Sequence, residues 1–491
     1  MPRRARVERD SLGVRAVPAD ARHGIFTERA RETFALSGLR PHPDYIRALG
    51  LIKLAAARAN RRLGLLPARL ARAIERAAQR VAANALDHAF VLDVFQAGAG
   101  TPHHMNANEV IANLANQMLG GRRGTYAPVH PNDHVNLGQS SNDVTPTAAR
   151  LCALARSRAL AAEVRALEGA WRRLARAHRT TVKPGRTHLQ DAVPITYGQV
   201  FLGYAEALAA DRARLETARD DLRVIGLGGT AVGTGITAHP RFAALVTREL
   251  ARLAGERLRV APSRVATTWS MTALAFASSA ARGLAVDLAK ICRDLRLLAS
   301  GPHTGLGELA LPAVEPGSSI MPGKVNPSVP EAVEMVCYQV CGNDAAITHG
   351  AIAGELELNV MTPLIAFNLW WSLDLLVRAV RLLREKCVEG LRVDRARVRD
   401  LTERSLVLGT ALSPYLGYAV VAELVKEALA RGRSLREVVR AHGLIPDRVL
   451  DRLLDPLSVT RPTRSDPALA AAIRRRPAYA AYRRRVGLSP A

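Results

Sequence analysis

Apolar residues return at helical spacing along most of the 491-residue chain. Leu51, Leu54 and Ala55 set that rhythm in a helix expected over 49–64. A first long helix is expected from Pro146 to Arg179. A second carries Phe201, Tyr204, Leu208, Leu215 and Leu222 and stops at Gly226. A third holds Leu284, Leu288, Ile291, Leu295 and Leu298, a seven-residue period kept over two heptads. A fourth is expected over 330–348 and a fifth over 361–390, the last apolar around most of its circumference near Leu364 to Val377. Each is far longer than the globular average of about 11 to 12 residues, which suits a helical bundle. Helices of this length cannot all bury their apolar stripes within one chain, so association into a larger helical core is expected.

Between and around these helices the pattern weakens. Residues 6–131 read as short helices mixed with loops, and 391–462 as short helices and turns. The expected architecture is all-α with three domains: a mainly helical one over 1–139, the long-helix bundle over 140–395 and a small helical one over 396–465. The arginine-rich tail, 466–491, is expected to be loosely ordered. Aromatic content of only 4% beside abundant alanine, leucine and arginine favours helix over sheet.

Composition narrows the setting. The most apolar run, Leu364 to Val380, is interrupted by Asn368, Asp374 and Arg378 and reads as too short and too charged to span a bilayer. The N-terminal residues lack the apolar core of a secretory signal. Cys152, Cys292, Cys337, Cys341 and Cys387 are odd in number and scattered, so reduced thiols and a cytoplasmic location are expected. A formal charge of +25 raises nucleic acid as a partner, but the charge is spread through the chain and concentrates only near Arg474 to Arg476 and Arg483 to Arg485. A general arginine bias accounts for the spread, and an anionic substrate would gain from the field.

Four polar stretches stand out against the helices. Gly317 to Pro330 contains glycines, prolines, Ser318, Ser319, Lys324 and Asn326, so it is a loop that brings hydroxyls, an amide and an ammonium together. Lysine is rare here, which suggests that Lys324 answers a need for a compact cation. The second stretch, Gln96 to Asn113, places Gly98 and Gly100 before Thr101, with Asn106, Asn108 and Glu109 at a helix start. In the third, Ser140, Ser141 and Asn142 precede Thr145-Pro146, which reads as an N-cap followed by proline. The fourth, Lys183 to Gln190, breaks the helical pattern and holds Thr187 and His188. Glycines over 227–235 lack the lysine of a phosphate-binding loop and read as a helix connector.

The run Gly-Ser-Ser-Ile-Met-Pro-Gly-Lys-Val-Asn-Pro from Gly317 resembles the signature loop of the aspartase and class II fumarase superfamily. The other three polar stretches and Ser413-Pro-Tyr-Leu-Gly-Tyr fit the same family in order, over about 6–462. The resemblance implies a three-domain helical fold, a homotetramer whose active sites are shared among three subunits, and reversible elimination to fumarate. In that chemistry a base removes the proton beside one carboxylate, and the resulting aci-carboxylate dianion must be stabilised.

Carried onto this sequence, the resemblance makes Ser318 the base and gives one carboxylate to Lys324, Asn326 and Thr187. Thr101, Ser140, Ser141 and Ser319 hold the other. Asn142 and His188 face the leaving group, with Glu331 orienting the histidine. No cofactor or catalytic metal is implied, and the partner is a small dicarboxylate. The leaving group is less well marked. Gln96-Ala-Gly-Ala-Gly-Thr, 41–50 and 356–364 resemble aspartases, whereas Ser141 in Gln-Ser-Ser-Asn and the glycine-rich 227–235 resemble fumarases. Pro102, His103 and His104 depart from the small polar residues usual after Thr101. Aspartate ammonia-lyase is the first expectation and class II fumarate hydratase the alternative. A basic nucleic-acid-binding scaffold without turnover ranks below both, because Ser318, Lys324, Asn326 and His188 are all in place.

Overall fold

The computed structural model describes residues 4–489. Helices dominate, and every sheet among the described residues is two-stranded. The five long helices are Ser141–Ala177, Tyr197–Leu222, Thr272–Leu298, Ser328–Ile352 and Thr362–Lys386. The first, at 37 residues, is about 55 Å long at 1.5 Å per residue. It begins earlier than Thr145-Pro146 suggested, so Pro146 lies inside it. The Ser140 carbonyl accepts the amides of Asp143 and Val144, and this closes the first turn ahead of the proline.

Four expectations need correction. The N-terminal region opens with a hairpin, Ala5–Asp10 paired to Gly13–Pro18, and its main helix, Pro43–Arg62, runs for 20 residues. Residues 182–196 form a second hairpin rather than a plain break, with a bulge between Pro184 and Gly185 that absorbs the prolines. The apolar run read as too short for a bilayer belongs to the 25-residue helix Thr362–Lys386, which is long and apolar enough to cross one. Two thirds of its most apolar window, 67%, is buried inside the protein, as in a core helix. The tail, finally, is ordered: Pro467–Arg474 and Pro477–Arg485 are helices.

The chain divides into two compact units, Met1–Val164 with Ala210–Ala289 and Val333–Arg381, and Arg165–Ala209 with Lys290–Ala332 and Leu382–Ala491. In the first unit the helix Pro43–Arg62 buries Tyr45, Leu49, Ile52 and Ala56. Gly50 faces the backbone of Ala82 so closely that a Cβ would collide with it, which lets this helix lie tight against Ala68–Ala82. Tyr45 packs on Trp370 with ring centroids 4.9 Å apart. Glu109, buried, accepts the amides of Gly24, Phe26 and Thr27 at 2.9–3.1 Å, so it caps the helix Ile25–Thr33 rather than opening its own.

In the second unit Trp171 packs on Phe201 and Tyr204 at 5.3 and 5.2 Å, and Tyr204 donates to Asp294 at 2.7 Å. A C-terminal core gathers Leu416, Leu424, Val439 and Leu450 with Ile473, Tyr479 and Tyr482 of the tail. Tyr479 Oη donates to the Leu416 carbonyl at 2.8 Å. The tail is therefore ordered by its apolar and aromatic residues, while most of its arginines point outward.

Candidate active site

In the first unit two of the four polar stretches meet, with the glycine-rich segment 227–235 against them. Thr101 opens the helix Thr101–Met118, whose cap, Gly100, has φ 73° and offers no side-chain acceptor. A Cβ on Gly100 would come within 2.5 Å of Thr145 Cγ2, so only glycine lets this turn seat against the neighbouring helix. Helix N-termini of this kind keep free amides, which suit an anion. Ser140, Ser141 and Asn142 lie at the start of Ser141–Ala177, all half-buried.

Asp143 ties this start to the glycine-rich segment. Its Oδ1 accepts the Ser140 amide at 3.0 Å, and Oδ2 accepts the amides of Gly228 and Thr230 at 2.9 Å. Burial raises its carboxyl to about 6 even so. Asn142 Nδ2 donates to the Ala231 carbonyl at 2.8 Å. Residues 227–235, read as a connector, thus brace the serines. Ser141 Oγ lies 2.9 Å from His104 Nδ1, and His104 Nε2 lies 2.6 Å from Lys53 Nζ. Sequence reasoning passed over Asp143 and Lys53, although a lysine on the apolar face of Pro43–Arg62 was a usable signal.

In the second unit Thr187 and His188 lie at the tip of the hairpin Val182–Thr187 and Gln190–Thr196. The two-residue turn has φ 56° at His188 and 60° at Leu189, the left-handed pair that a tight hairpin demands. Neither residue is glycine, so the turn holds His188 outward at some cost in strain. Under the hairpin buried Glu308 meets Arg186, next to Thr187, at 2.6 Å and Lys183, near the base, at 3.6 Å, and accepts from Tyr197 Oη at 2.7 Å. Alongside runs a cavity of about 840 Å³ lined by Thr187, Leu189, Val193, Tyr204 and Lys290.

The Gly317–Pro330 loop is closed on itself. Gly317 donates its amide to the Lys324 carbonyl at 2.9 Å, and Asn326 Nδ2 donates to the Gly317 carbonyl at 2.7 Å. A Cβ on Gly317 would sit 2.5 Å from the Lys324 carbonyl oxygen. Ser318 Oγ accepts the amides of Ile320 at 3.2 Å and Met321 at 3.0 Å. Two N–H donors at one hydroxyl oxygen favour its ionised form. Ser319 and Lys324 are exposed, and Ser318 and Asn326 are half-buried. Glu331 faces Arg296 at 3.8 Å, and among the described residues no hydrogen bond joins it to His188.

All five cysteines are free thiols. Among the described residues no group of three or more His, Cys, Asp or Glu side chains is gathered as a metal ion would require.

A family described as Lyase matches residues 13–342, and one described as Fumarase C C-terminus matches 408–461. An aspartate ammonia-lyase of Pseudomonas fluorescens is 47% identical over 460 residues, 93% of this chain and 96% of that protein. A protein of Bradyrhizobium diazoefficiens named fumarate hydratase class II 2 is 46% identical over 458 residues, 93% of this chain and 97% of its own. Among solved structures, fumarate lyase:delta crystallin from Brucella melitensis bound to cobalt superposes with a TM-score of 0.91 at 47% identity, over 94% of this chain and 100% of that one. Class II fumarase from Schistosoma mansoni reaches the same TM-score, 0.91, at 35% identity and the same coverage, 94% and 100%. Relatives of both names stand at nearly equal identity, which shows a lyase without separating carbon–nitrogen from carbon–oxygen cleavage. On sequence, fold and loop alike, the chain belongs to the lyase family that contains the aspartases and class II fumarases.

Proposed function

We propose that this protein converts L-aspartate to fumarate and ammonia, reversibly, through an aci-carboxylate dianion, with Ser318 as the base. The observation that carries the elimination chemistry is the pair of amides, Ile320 and Met321, already aimed at Ser318 Oγ. Lys324, Asn326 and Thr187 receive the carboxylate that gains charge, and Thr101, Ser140, Ser141 and Ser319 receive the other. His188 and Asn142 serve the leaving group, and Glu331 orients His188 across a subunit boundary.

The functional unit is a homotetramer with each site drawn from three chains. Exposed apolar side chains on the long helices support this: Val286, Met335 and Tyr338 are 51%, 69% and 53% exposed in one chain. Ammonia is favoured over water by the aspartase-like segments at 41–50, 96–101 and 356–364. The second reading, class II fumarate hydratase, is favoured by Ser141 and the glycine-rich segment it is braced against through Asp143.

Fumarate formation from L-aspartate and from L-malate, followed with the same purified protein, decides between them. Turnover of aspartate is expected, and activity on malate alone transfers the assignment to the hydratase.

A further inference from the structure

Behind Ser141 lies a chain of buried polar contacts with no part in the scheme above. Lys53 is 0% exposed, between buried Leu49, Ile52 and Ala56, and no ion pair reaches it among the described residues. Its Nζ has three partners: His104 Nε2 at 2.6 Å, Gln139 Oε1 at 2.9 Å and Asn136 Oδ1 at 3.1 Å. Gln139 gives its Nε2 protons to the carbonyls of Val135 and Leu137, and Asn136 gives Nδ2 to that of Gln139. Both amide oxygens are thereby turned toward the lysine. On its far side the His104 ring reaches Ser141 Oγ through Nδ1 at 2.9 Å.

We propose that Lys53 and His104 are positioning residues that set which way the Ser141 hydroxyl proton points, and that a bound dicarboxylate draws one proton onto Lys53. The inference rests on the reading of Ser141 as a carboxylate-binding group. With an ammonium at Lys53, its three protons go to the two amide oxygens and to His104 Nε2. His104 then carries its proton on Nδ1 and donates it to Ser141, which must turn its own proton outward to an anion. With an amine at Lys53 the order reverses. Nε2–H donates to the lysine, Nδ1 accepts from Ser141, and the serine shows lone pairs that repel a carboxylate.

The two states differ by a single proton taken from solvent. The titratable groups facing Lys53 are His104 and Asp143. Burial pulls Lys53 and His104 well below their ordinary values, and the Asp143 carboxylate opposes this for Lys53. An arriving anion tips the balance toward the ammonium.

The test is calorimetric titration with succinate, a four-carbon dicarboxylate with no group to eliminate, in two buffers of different protonation enthalpy at mildly alkaline pH. The wild-type protein is expected to take up about one proton per site, and Lys53→Met close to none. Equal uptake in both, or none in the wild type, overturns the proposal. Since Lys53→Met strands two amide oxygens, Lys53→Gln is measured beside it, and each is combined with Ser141→Ala. Either lysine change is expected to raise KM roughly tenfold with Ser141 present and not at all once it is alanine. An equal rise in both backgrounds overturns the proposal. A wild-type protein that turns over neither aspartate nor malate overturns the functional reading instead, so the two failures are distinct.

Discussion

The backbone amide of Met321 lies 3.0 Å from Oγ of Ser318, three residues behind it in the same loop. With the Ile320 amide at 3.2 Å, the hydroxyl oxygen is held by two donors before any substrate arrives. Removing that oxygen should remove the base. Ser318→Ala is expected to lower kcat by about 10²- to 10⁴-fold with little change in melting temperature. Turnover within a few-fold of wild type would place proton abstraction elsewhere.

Asn326 holds the loop closed through its 2.7 Å bond to the Gly317 carbonyl. Asn326→Ala should free residues 317–326 to open, and limited proteolysis should cut there faster than in the wild type, by roughly tenfold for a loss of about 1.4 kcal/mol. Unchanged cleavage would show that the Gly317–Lys324 backbone bond suffices alone.

Glu308 is the buried anion under the hairpin that carries Thr187 and His188. Glu308→Gln leaves Lys183 and Arg186 without it, at an expected cost of roughly 3 kcal/mol in denaturant unfolding. Because Arg186 adjoins Thr187 at the hairpin tip, activity should fall further than the lost stability explains. A variant as stable and active as the wild type would show that the hairpin is fixed by its strand pairing.

Asp143 makes a pH prediction with a definite sign. Its folded value of about 6 lies above the ordinary 3.8, so the folded state binds its proton more tightly than the unfolded state. Its contribution is most favourable below pH about 4 and is lost as pH rises through about 6, in total about 3 kcal/mol at about 1.4 kcal/mol per unit. Asp143→Asn should flatten the fall in stability between those values. It should also weaken the protein near neutrality, since an amide proton would face one of the three backbone donors. An unchanged pH slope would mean that the carboxyl titrates as it does in the unfolded chain.

The helices were legible because their apolar spacing is long and regular, and the loop at Gly317 because nothing else suits so many glycines and prolines. The hairpin at 182–196 was not. Pro184, Gly185 and Pro194 are poor strand residues, and only the bulge beside them makes the pairing possible. Lys53 and His104 are 51 positions apart, on separate helices, and nothing in their spacing announces contact. The tail misled for a different reason. Its arginines dominate the composition, while Ile473, Tyr479 and Tyr482, spaced along two short helices, decide its structure.

The match to the fumarase C-terminal family ends at residue 461, yet three side chains beyond it complete the neighbouring core. A gene trimmed to the family boundary would therefore encode a protein with an open wound in its last domain, exposing Leu416 and its neighbours to solvent. The extension behaves as a built-in plug, and the arginines it carries are mounted at fixed positions on a folded surface instead of trailing behind it.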